Sequence, residues 1–330
     1  MAAADRPAPA PLARILAAGL GLDGVSIASI EPLFGGAVRR HWRLVVGHVS
    51  GDLDLVLRAD GATPLGMGLD LTDEFALLQA LHAAGLAVAP PVLASSDLAV
   101  IGAPFHLTQR LPGSADPAAL VAAGRHEALA ERLGAELAAV QRITPPALSC
   151  LGNPPEDAAA SALATMRTRL DALEPRPAAE WALRWLLRHA PSPLPPILCH
   201  GDFRTGNYLV EDGRFVALLD WEFAHWGDPD EDIAWFCSRC WRFGADAREA
   251  GGIASLGSLL RGYAASSRRL DSARLRWWEV MAALRWLVIA LLQRDRFLRQ
   301  GERSLDLALT GRRAAECEFE LLRLTMDKAT

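Results

Sequence analysis

Asp202, Asn207 and Asp220 are three oxygen-bearing side chains in one short stretch of the chain. Carboxylate and amide oxygens suit Mg²⁺, which takes one or two carboxylates from a protein and keeps positions open for phosphate and water. A carboxylate that binds no metal can instead accept the proton of an attacking hydroxyl group. Each side chain alone would be expected to cap a loop or end a strand, but the three together indicate metal-assisted phosphoryl transfer.

A β-hairpin is predicted to bring two of these side chains together. Asp212-Gly213 is a two-residue type I′ turn signal, and alternating apolar residues flank it. If these two residues form the turn, Asn207 pairs with Leu218, and Asp220 lies two residues further along the same face. Diagonal neighbours in such a pair are ~7–8 Å apart. Both side chains can therefore reach one cation between them.

The spacing is typical of phosphoryl-transfer enzymes of the protein-kinase type, in which Asn follows the first Asp by five residues and a further Asp lies beyond a hairpin. The segments LCHGDFRTGNYLV at 198–210 and ALLDWEFAHWGDPDEDIAWF at 217–236 resemble the two large-lobe motifs of the aminoglycoside phosphotransferase family, which includes choline kinase-like enzymes. The resemblance runs from about residue 25 to 300. It implies a bilobal kinase-like fold, ATP and Mg²⁺ as cofactors, and a small-molecule acceptor.

The same resemblance implies roles for individual residues. Asp202 corresponds to the catalytic base, and Asn207 and Asp220 correspond to the Mg²⁺ ligands. His200 is expected to support the loop that carries the base, and Arg204 is grouped with these catalytic residues. Further along, Asp232 is a candidate brace for the same loop.

Lysine is almost absent from the chain, which contains 34 lysine and arginine residues of which only Lys328 is a lysine. A Walker A loop and an internal Schiff-base lysine are thereby excluded. Arg58 stands where protein kinases have a lysine, and its planar guanidinium suits phosphate. Glu74 is its expected ion-pair partner, and a surface arginine on an edge strand is the alternative for Arg58.

The remaining nucleotide-binding candidates lie in loops. Gly35 and Gly36 separate the first two predicted strands, where kinase-like folds place a loop over the phosphates. An ordinary hairpin turn explains these two glycines as well. By resemblance, the carbonyl of Gln109 and the amide of Leu111 bond the adenine edge, at the point where the lobes are expected to join.

Two domains are predicted to position these residues. Residues 1–111 combine short alternating runs, including 98–102, with one helix at Thr72–Ala84 whose N-cap is Thr72, which predicts a five-stranded sheet with an inserted helix. Residues 112–330 show mainly helical periodicity and hold the catalytic loop and the hairpin. We therefore predict an α+β, bilobal, protein-kinase-like fold with a small antiparallel-sheet lobe and a large helical lobe.

Composition excludes several other classes. The formal net charge of −5 argues against a broadly basic nucleic-acid surface. The apolar run Val280–Leu292 is too short to span a bilayer. The charge and the short apolar run together predict no nucleic-acid or membrane partner. Five sparse cysteines predict reduced thiols and a cytoplasmic location. Cys237 and Cys240 form a CxxC motif, but the sequence has no second pair to complete a zinc site, so core packing is the better interpretation.

Arginines in the helical region bear on the acceptor. The chain after the hairpin is rich in arginine, and nine of these residues are considered as candidates: Arg239, Arg242, Arg261, Arg268, Arg269, Arg285, Arg294, Arg296 and Arg299. A cationic lobe would repel a polycationic aminoglycoside and favour an anionic acceptor. Arg285 interrupts an apolar helix and is predicted either to pair with a buried acid or to face the acceptor. The same helix carries Trp277, Trp278 and Trp286, which are expected to pack in the core or, alternatively, to line an acceptor pocket.

The branch of the family that the chain resembles most is similar to the kinase domain of acyl-CoA dehydrogenase fusions. This resemblance implies transfer of the ATP γ-phosphate to a hydroxyl group on a hydroxyacyl or acyl-CoA acceptor. Three alternatives stay open at this point. One is an aminoglycoside or other antibiotic phosphotransferase. The second is a non-catalytic nucleotide-binding pseudokinase. The third is a metal-dependent phosphohydrolase, which would need a second cluster of acids or histidines for a dinuclear site.

Overall fold

The structure is a computed structural model that describes residues 6–33, 39–60, 68–266, 268 and 270–326. It divides into two compact units. The sheet unit contains the chain up to Ala115 together with Leu148–Gly152 and Asn207–Ala224. The helical unit contains Asp116–Ala147, Asn153–Gly206 and the chain from His225 onward.

The described chain contains both strands and helices, as an α+β fold requires. The strands are β1 (Ser26–Leu33), β2 (Arg40–His48), β3 (Gly51–Ala59), β4 (Pro91–Ser95), β5 (Phe105–Gln109), β6 (Ile197–Cys199), β7 (Tyr208–Glu211), β8 (Arg214–Leu218) and β9 (His225–Gly227). The α-helices are α1 (Pro9–Leu20), α2 (Leu71–Ala83), α3 (Leu98–Ile101), α4 (Pro117–Ala122), α5 (Glu127–Val140), α6 (Ala158–Asp171), α7 (Pro177–Arg188), α8 (Glu231–Cys237), α9 (Leu256–Tyr263), α10 (Ser272–Leu298), α11 (Leu305–Arg312) and α12 (Ala314–Thr325).

The sheet unit is built on an antiparallel five-stranded sheet with the order β1-β2-β3-β5-β4. Alternation along β2 buries Trp42, Leu44 and Val46 on one face, as a half-buried strand requires. These side chains pack with Leu12 and Leu16 of α1 in one core. The antiparallel meander predicted from the sequence is therefore present.

Two details of the sheet unit differ from the prediction. Residues 98–101 form helix α3 instead of a strand, because Asp97 caps the turn by accepting a hydrogen bond from the amide of Ala99. Helix α2 begins one residue earlier than predicted. Its N-cap is Asp70, which accepts from the amides of Thr72 and Asp73. Thr72 is therefore the second residue of the helix and was wrongly predicted as its cap.

The predicted hairpin is formed by β7 and β8, with a register that differs from the prediction. Asp212 and Gly213 both have positive φ angles, 48° and 74°, as a type I′ turn demands. A β-bulge then shifts the pairing, so Leu218 lies opposite Tyr208 and not opposite Asn207. The extra residue places Leu219 next to Asn207, whose carbonyl accepts the Leu219 amide at 2.8 Å.

The β7–β8 hairpin belongs to the sheet unit, because its backbone forms hydrogen bonds with other residues of that unit. Ser114 and Val210 exchange two backbone hydrogen bonds of 2.9 Å, and the Leu218 amide donates to the Ala87 carbonyl at 2.8 Å. The predicted division after residue 111 assigns this hairpin to the helical domain and so differs from the observed grouping.

The helical unit packs around α10, a helix of 27 residues. Trp277 and Trp278 are 0% and 1% exposed and belong to a core that also holds residues of α6, α7 and α12. These two tryptophans are therefore packing residues. No helix in the described ranges is both long enough and apolar enough to cross a bilayer.

Candidate active site

A buried ion cluster in the sheet unit surrounds Arg58. This residue lies on β3, and its Nη1 is 3.3 Å from Oε1 of Glu74 in α2. Its Nη2 lies 3.4 Å from Oε2 of Glu222 and donates a hydrogen bond to Oδ1 of Asp220. The structure thus brings together three residues that the sequence predicts for the site, Arg58, Glu74 and Asp220. One arginine serves three carboxylates, which a planar guanidinium with several donors can do.

Arg39 is a second cation in this cluster that the sequence analysis missed. It is 9% exposed, donates to Glu74 and to the carbonyl of Leu69, and lies 3.3 Å from Glu222. Burial lowers the pKa of Arg39, and the nearby positive charge of Arg58 lowers it further. Glu222 was also missed as a site residue, although its position two residues after Asp220, in the segment DWEF at 220–223, was a usable signal.

Asn207 and Asp220 lie at the open end of the hairpin. Asn207 is 4% exposed, and Asp220 follows the Leu219 that bonds to the Asn207 backbone. Asp220 has a φ angle of 65°, a left-handed conformation that is uncommon outside glycine. Such strain persists where the surrounding structure holds it, and here the carboxylate accepts a hydrogen bond from Arg58. The amide and carboxylate oxygens are hard donors of the kind that Mg²⁺ prefers.

Two histidines next to the ion cluster are held neutral. Burial lowers the pKa of His41 to about 4 and that of His106 to about 3, and the positive charge of Arg58 contributes to both shifts. His106 is 3% exposed and pairs with Arg58 across β5 and β3. Both imidazoles therefore add no positive charge to the cluster at neutral pH.

In the helical unit, Asp202 lies in a loop over 200–206 and is held by side-chain donors. Its Oδ1 accepts from the indole Nε1 of Trp235 at 2.8 Å, and its Oδ2 accepts from Nε of Arg204 at 3.0 Å. The residue is 7% exposed. Arg204 was predicted from the sequence, whereas Trp235 was missed, since a helical tryptophan gives no sequence signal for a bond to a distant carboxylate.

Asp232 anchors the start of this loop. Its carboxylate is completely buried and accepts the amides of His200 at 2.7 Å and of Gly201 at 3.0 Å. Burial raises the pKa of Asp232. His200 in turn accepts the amide of Asp202 on its Nδ1 at 3.2 Å. The brace that the sequence suggested for Asp232 is therefore present, and His200 lies inside the loop that it was expected to support.

Comparison with known proteins identifies the family. The model of the "Phosphotransferase enzyme family" matches residues 29–287. The chain belongs to this family. It is 31% identical over 195 residues to mouse (Mus musculus) acyl-CoA dehydrogenase family member 10, an alignment that covers 56% of this chain but only 18% of that protein. Chicken (Gallus gallus) acyl-CoA dehydrogenase family member 11 is 31% identical over 175 residues, which cover 49% of this chain and 22% of that protein.

Solved structures share the fold at low sequence identity. A Ralstonia eutropha protein provisionally assigned as an aminoglycoside phosphotransferase superposes with a TM-score of 0.74 at 20% identity, covering 96% of this chain and 97% of its own. Spectinomycin phosphotransferase, solved with ADP and spectinomycin, gives a TM-score of 0.65 at 12% identity, covering 96% and 98%. These similarities confirm the predicted kinase-like α+β fold.

Of the remaining nucleotide-binding candidates of this phosphotransferase, the structure describes Gln109 and Leu111. Gly35 and Gly36 lie outside the described residues. Gln109 is the last residue of β5, where its amide donates to the carbonyl of Pro90 at 2.9 Å, and Leu111 follows in the connecting segment. Their role in adenine binding stays a prediction.

The arginines of the helical unit are mostly used within the fold. Six of the nine pair with acids: Arg239, Arg261, Arg268, Arg294, Arg296 and Arg299. Arg242 donates to the carbonyl of Cys237, and Arg269 lies outside the described residues. Arg285 stacks over the ring of Trp235 at 4.4 Å, a cation–π contact that the sequence did not predict. Beside it, Arg204 lies 4.6 Å over the ring of Trp241.

Proposed function

We propose that this phosphotransferase moves the γ-phosphate of Mg·ATP to a hydroxyl group of a small, anionic acceptor. The observation that carries the proposal is the state of Asp202, a nearly buried carboxylate fixed on both oxygens by Trp235 and Arg204. A general base must be positioned before chemistry begins, because misplacement of reacting groups is costly. A pseudokinase would have no need for such a fixed carboxylate.

Asp202 accepts the proton of the acceptor hydroxyl as that oxygen attacks the γ-phosphorus of ATP, whose bond to the bridging oxygen breaks so that ADP leaves. Trp235 and Arg204 orient the Asp202 carboxylate. Two hydrogen bonds from backbone amides to the Asp232 carboxylate fix the backbone of the loop that carries Asp202. Arg58 supplies the positive charge that protein kinases take from lysine, and Glu74 orients it. Catalysis in this scheme rests on positioning and charge neutralisation.

Asn207 and Asp220 would hold Mg²⁺. These two residues suit Mg²⁺ because both offer hard oxygen atoms. A backbone hydrogen bond between Leu219, which precedes Asp220, and Asn207 also keeps the two ligands near each other. When bound, the ion would neutralise charge on the transferring phosphate. In the structure, Asp220 is held by Arg58, so the guanidinium occupies one oxygen of the proposed ligand.

For the acceptor we propose an anionic molecule of the hydroxyacyl or acyl-CoA type. Support comes from the 31% identity to acyl-CoA dehydrogenase family member 10 over 56% of the chain. The guanidinium group of Arg285 also lies over the ring of Trp235, which donates to Asp202. That of Arg204 lies over the ring of Trp241. The general abundance of arginine gives little further support for an anionic acceptor, because most of the candidate arginines already pair with acids.

A paired acceptor screen tests this function. Purified protein is incubated with Mg·ATP and either hydroxyacyl-CoAs or kanamycin-type amines, and the gain of one phosphoryl group is followed by mass spectrometry. We expect phosphorylated hydroxyacyl-CoA, and no product when Mg²⁺ is chelated. Turnover of the amines alone would overturn the acceptor class and support an antibiotic phosphotransferase. ATP binding without transfer to any hydroxyl compound in a broad panel would favour the pseudokinase alternative.

A further inference from the structure

A thiol, an imidazole and a carboxylate that are not part of the candidate active site meet in the helical unit. Strands β6 and β9 pair antiparallel, with Cys199 opposite His225. Glu231 is the first residue of α8, which follows β9. The Sγ of Cys199, a ring nitrogen of His225 and a carboxylate oxygen of Glu231 all lie within 4.8 Å of one another.

The three atoms converge on one point. Nε2 of His225 lies 3.2 Å from Oε2 of Glu231. A Cβ atom placed on Gly227 would lie 2.7 Å from Sγ of Cys199, 2.8 Å from Oε2 of Glu231 and 3.0 Å from Nε2 of His225. Any side chain at position 227 would therefore collide with all three ligand atoms, and glycine avoids this collision.

The donor set selects a class of metal ion. Sulfur and imidazole nitrogen suit Zn²⁺, which binds such atoms at ~2.0–2.3 Å and accepts a carboxylate oxygen as well. Mg²⁺ prefers oxygen ligands only, so this donor set differs in kind from Asn207 and Asp220. The side chain of His225 is 42% exposed, which gives the cluster access to solvent, while Cys199 is completely buried.

We propose that Cys199, His225 and Glu231 form a zinc-binding site, with a fourth position for water. Binding forms a bond between Zn²⁺ and the Cys199 sulfur and releases the thiol proton to solvent. The alternative is a metal-free arrangement in which His225 bonds Glu231 and the Cys199 thiol donates a hydrogen bond to the carbonyl of Asp228 at 3.4 Å.

The charge around the site favours a cation. Burial raises the pKa of the Cys199 thiol well above its ordinary value, and the carboxylates of Asp232, Glu231 and Asp228 raise it further. A divalent ion would neutralise this negative field and stabilise the thiolate. The positive charge of Arg285 lowers the pKa of the Cys199 thiol and would also repel a bound cation. Zinc binding must therefore be favourable enough to exceed this repulsion.

The site adjoins the loop that carries Asp202. Cys199 directly precedes His200, and Glu231 directly precedes Asp232, whose carboxylate accepts the amides of His200 and Gly201. A zinc ion would therefore join both ends of this brace. We expect it to stabilise the helical unit against unfolding by tying β6, β9 and α8 together.

Metal titration with a matched cysteine variant tests the proposal. Metal-free full-length protein is titrated with Zn²⁺ by calorimetry and with Co²⁺ by absorption spectroscopy. We expect one ion per chain and a cobalt–thiolate charge-transfer band. Cys199→Ala should lose the band and weaken Zn²⁺ binding about 100-fold or more, since even outer-shell partners contribute roughly 10- to 100-fold. Cys237→Ala, which removes another buried thiol of the helical unit, should leave both unchanged.

A second variant keeps the test decisive if Cys199→Ala folds poorly. His225→Gln alters a partly exposed residue and should also remove the cobalt band and the rise in melting temperature that Zn²⁺ gives the wild-type protein. Absence of a cobalt–thiolate band in the wild-type protein would overturn the proposal. Zinc binding that persists undiminished in Cys199→Ala or His225→Gln would overturn it as well.

Discussion

The two groups of candidate catalytic residues are held in different ways. In the sheet unit, charged side chains hold one another, with Arg39 and Arg58 shared among Glu74, Glu222 and Asp220. In the helical unit, the loop that carries Asp202 is held by its backbone, through amides that bond to one buried carboxylate. A network of side chains can rearrange when a charged ligand arrives, whereas a backbone brace keeps one geometry.

This difference matches the tasks that we propose for each group. A nucleotide brings several negative charges and a metal ion, so the residues that meet it must exchange partners. Asp220, which accepts a hydrogen bond from Arg58, would make such an exchange on binding Mg²⁺. A catalytic base gains from staying fixed, because its value lies in a constant position relative to the hydroxyl group.

The largest effect is expected from removing the backbone brace. Asp232→Ala leaves the buried amides of His200 and Gly201 without an acceptor, each costing roughly 1–3 kcal/mol. We expect the free energy of unfolding, measured by urea denaturation, to fall by roughly 2–6 kcal/mol for the two amides together. We also expect turnover to be lost. Asp232→Asn keeps one acceptor oxygen and should lose less. An Asp232→Ala protein with wild-type stability would show that the loop does not depend on this carboxylate.

A smaller effect is expected from the guanidinium of the sheet unit. Arg58→Ala would remove the proposed charge-assisted contact to phosphate, worth roughly 1.5–3 kcal/mol, which corresponds to a loss of about 10- to 150-fold in Mg·ATP affinity. Arg58→Lys should recover only part of it, since an ammonium group cannot reach all three carboxylates at once. Calorimetry of Mg·ATP binding measures both variants. Unaltered affinity in Arg58→Ala would remove this residue from nucleotide binding.

Acid should weaken the sheet unit through His106. Its pKa is about 3 in the folded protein and about 6.5 when unfolded, so the unfolded chain binds the proton first as pH falls. This histidine's contribution to stability is complete above pH 6.5 and declines toward the folded pKa, by roughly 2 kcal/mol between pH 7 and 5. His106→Gln should flatten that dependence in urea denaturation. His82→Gln, an exposed site in α2, should leave it steep. Identical pH profiles for His106→Gln and the wild type would contradict this account.

The smallest effect concerns the orientation of Asp202. Trp235→Phe keeps an aromatic ring under Arg285 but deletes the indole donor to Oδ1. We expect kcat to fall about 10-fold, as for one lost hydrogen bond to a charged group, with Mg·ATP affinity unchanged. Trp286→Phe, in the same aromatic cluster, serves as the control. A change in nucleotide affinity with kcat preserved would contradict a positioning role for Trp235.

The sequence predicts the helical-unit loop better than the ion cluster, for a physical reason. His200 and Asp202 are two residues apart, so a local motif records their spacing directly. The partners of Arg58 come from α2 and from beyond β8, and Arg39 enters from a loop, so no spacing encodes their meeting. The hairpin register illustrates the same limit, because the turn signal at Asp212-Gly213 is local whereas the bulge that shifts Leu218 is not.

Hydrogen bonds that cap helices also explain where the predicted strands and helices differ from the structure. Residues 98–101 have strand-like composition, yet one hydrogen bond from the Ala99 amide to Asp97 starts a helical turn. Composition alone cannot weigh such a bond against β propensity. The cation–π contact of Arg285 with Trp235 was equally out of reach, because it joins α10 to α8 across a long sequence separation.

The role of Asp202 is tested most directly by comparing Asp202→Asn with the wild-type protein in two assays on the same preparations. Turnover is measured with Mg·ATP and a hydroxyl acceptor identified in the screen, and Mg·ATP affinity is measured by calorimetry. We predict that kcat falls by roughly 10²- to 10⁴-fold, as expected for loss of a general base, while affinity stays within a few-fold of wild type. An Asp202→Asn protein that retains full turnover would contradict the proposed mechanism.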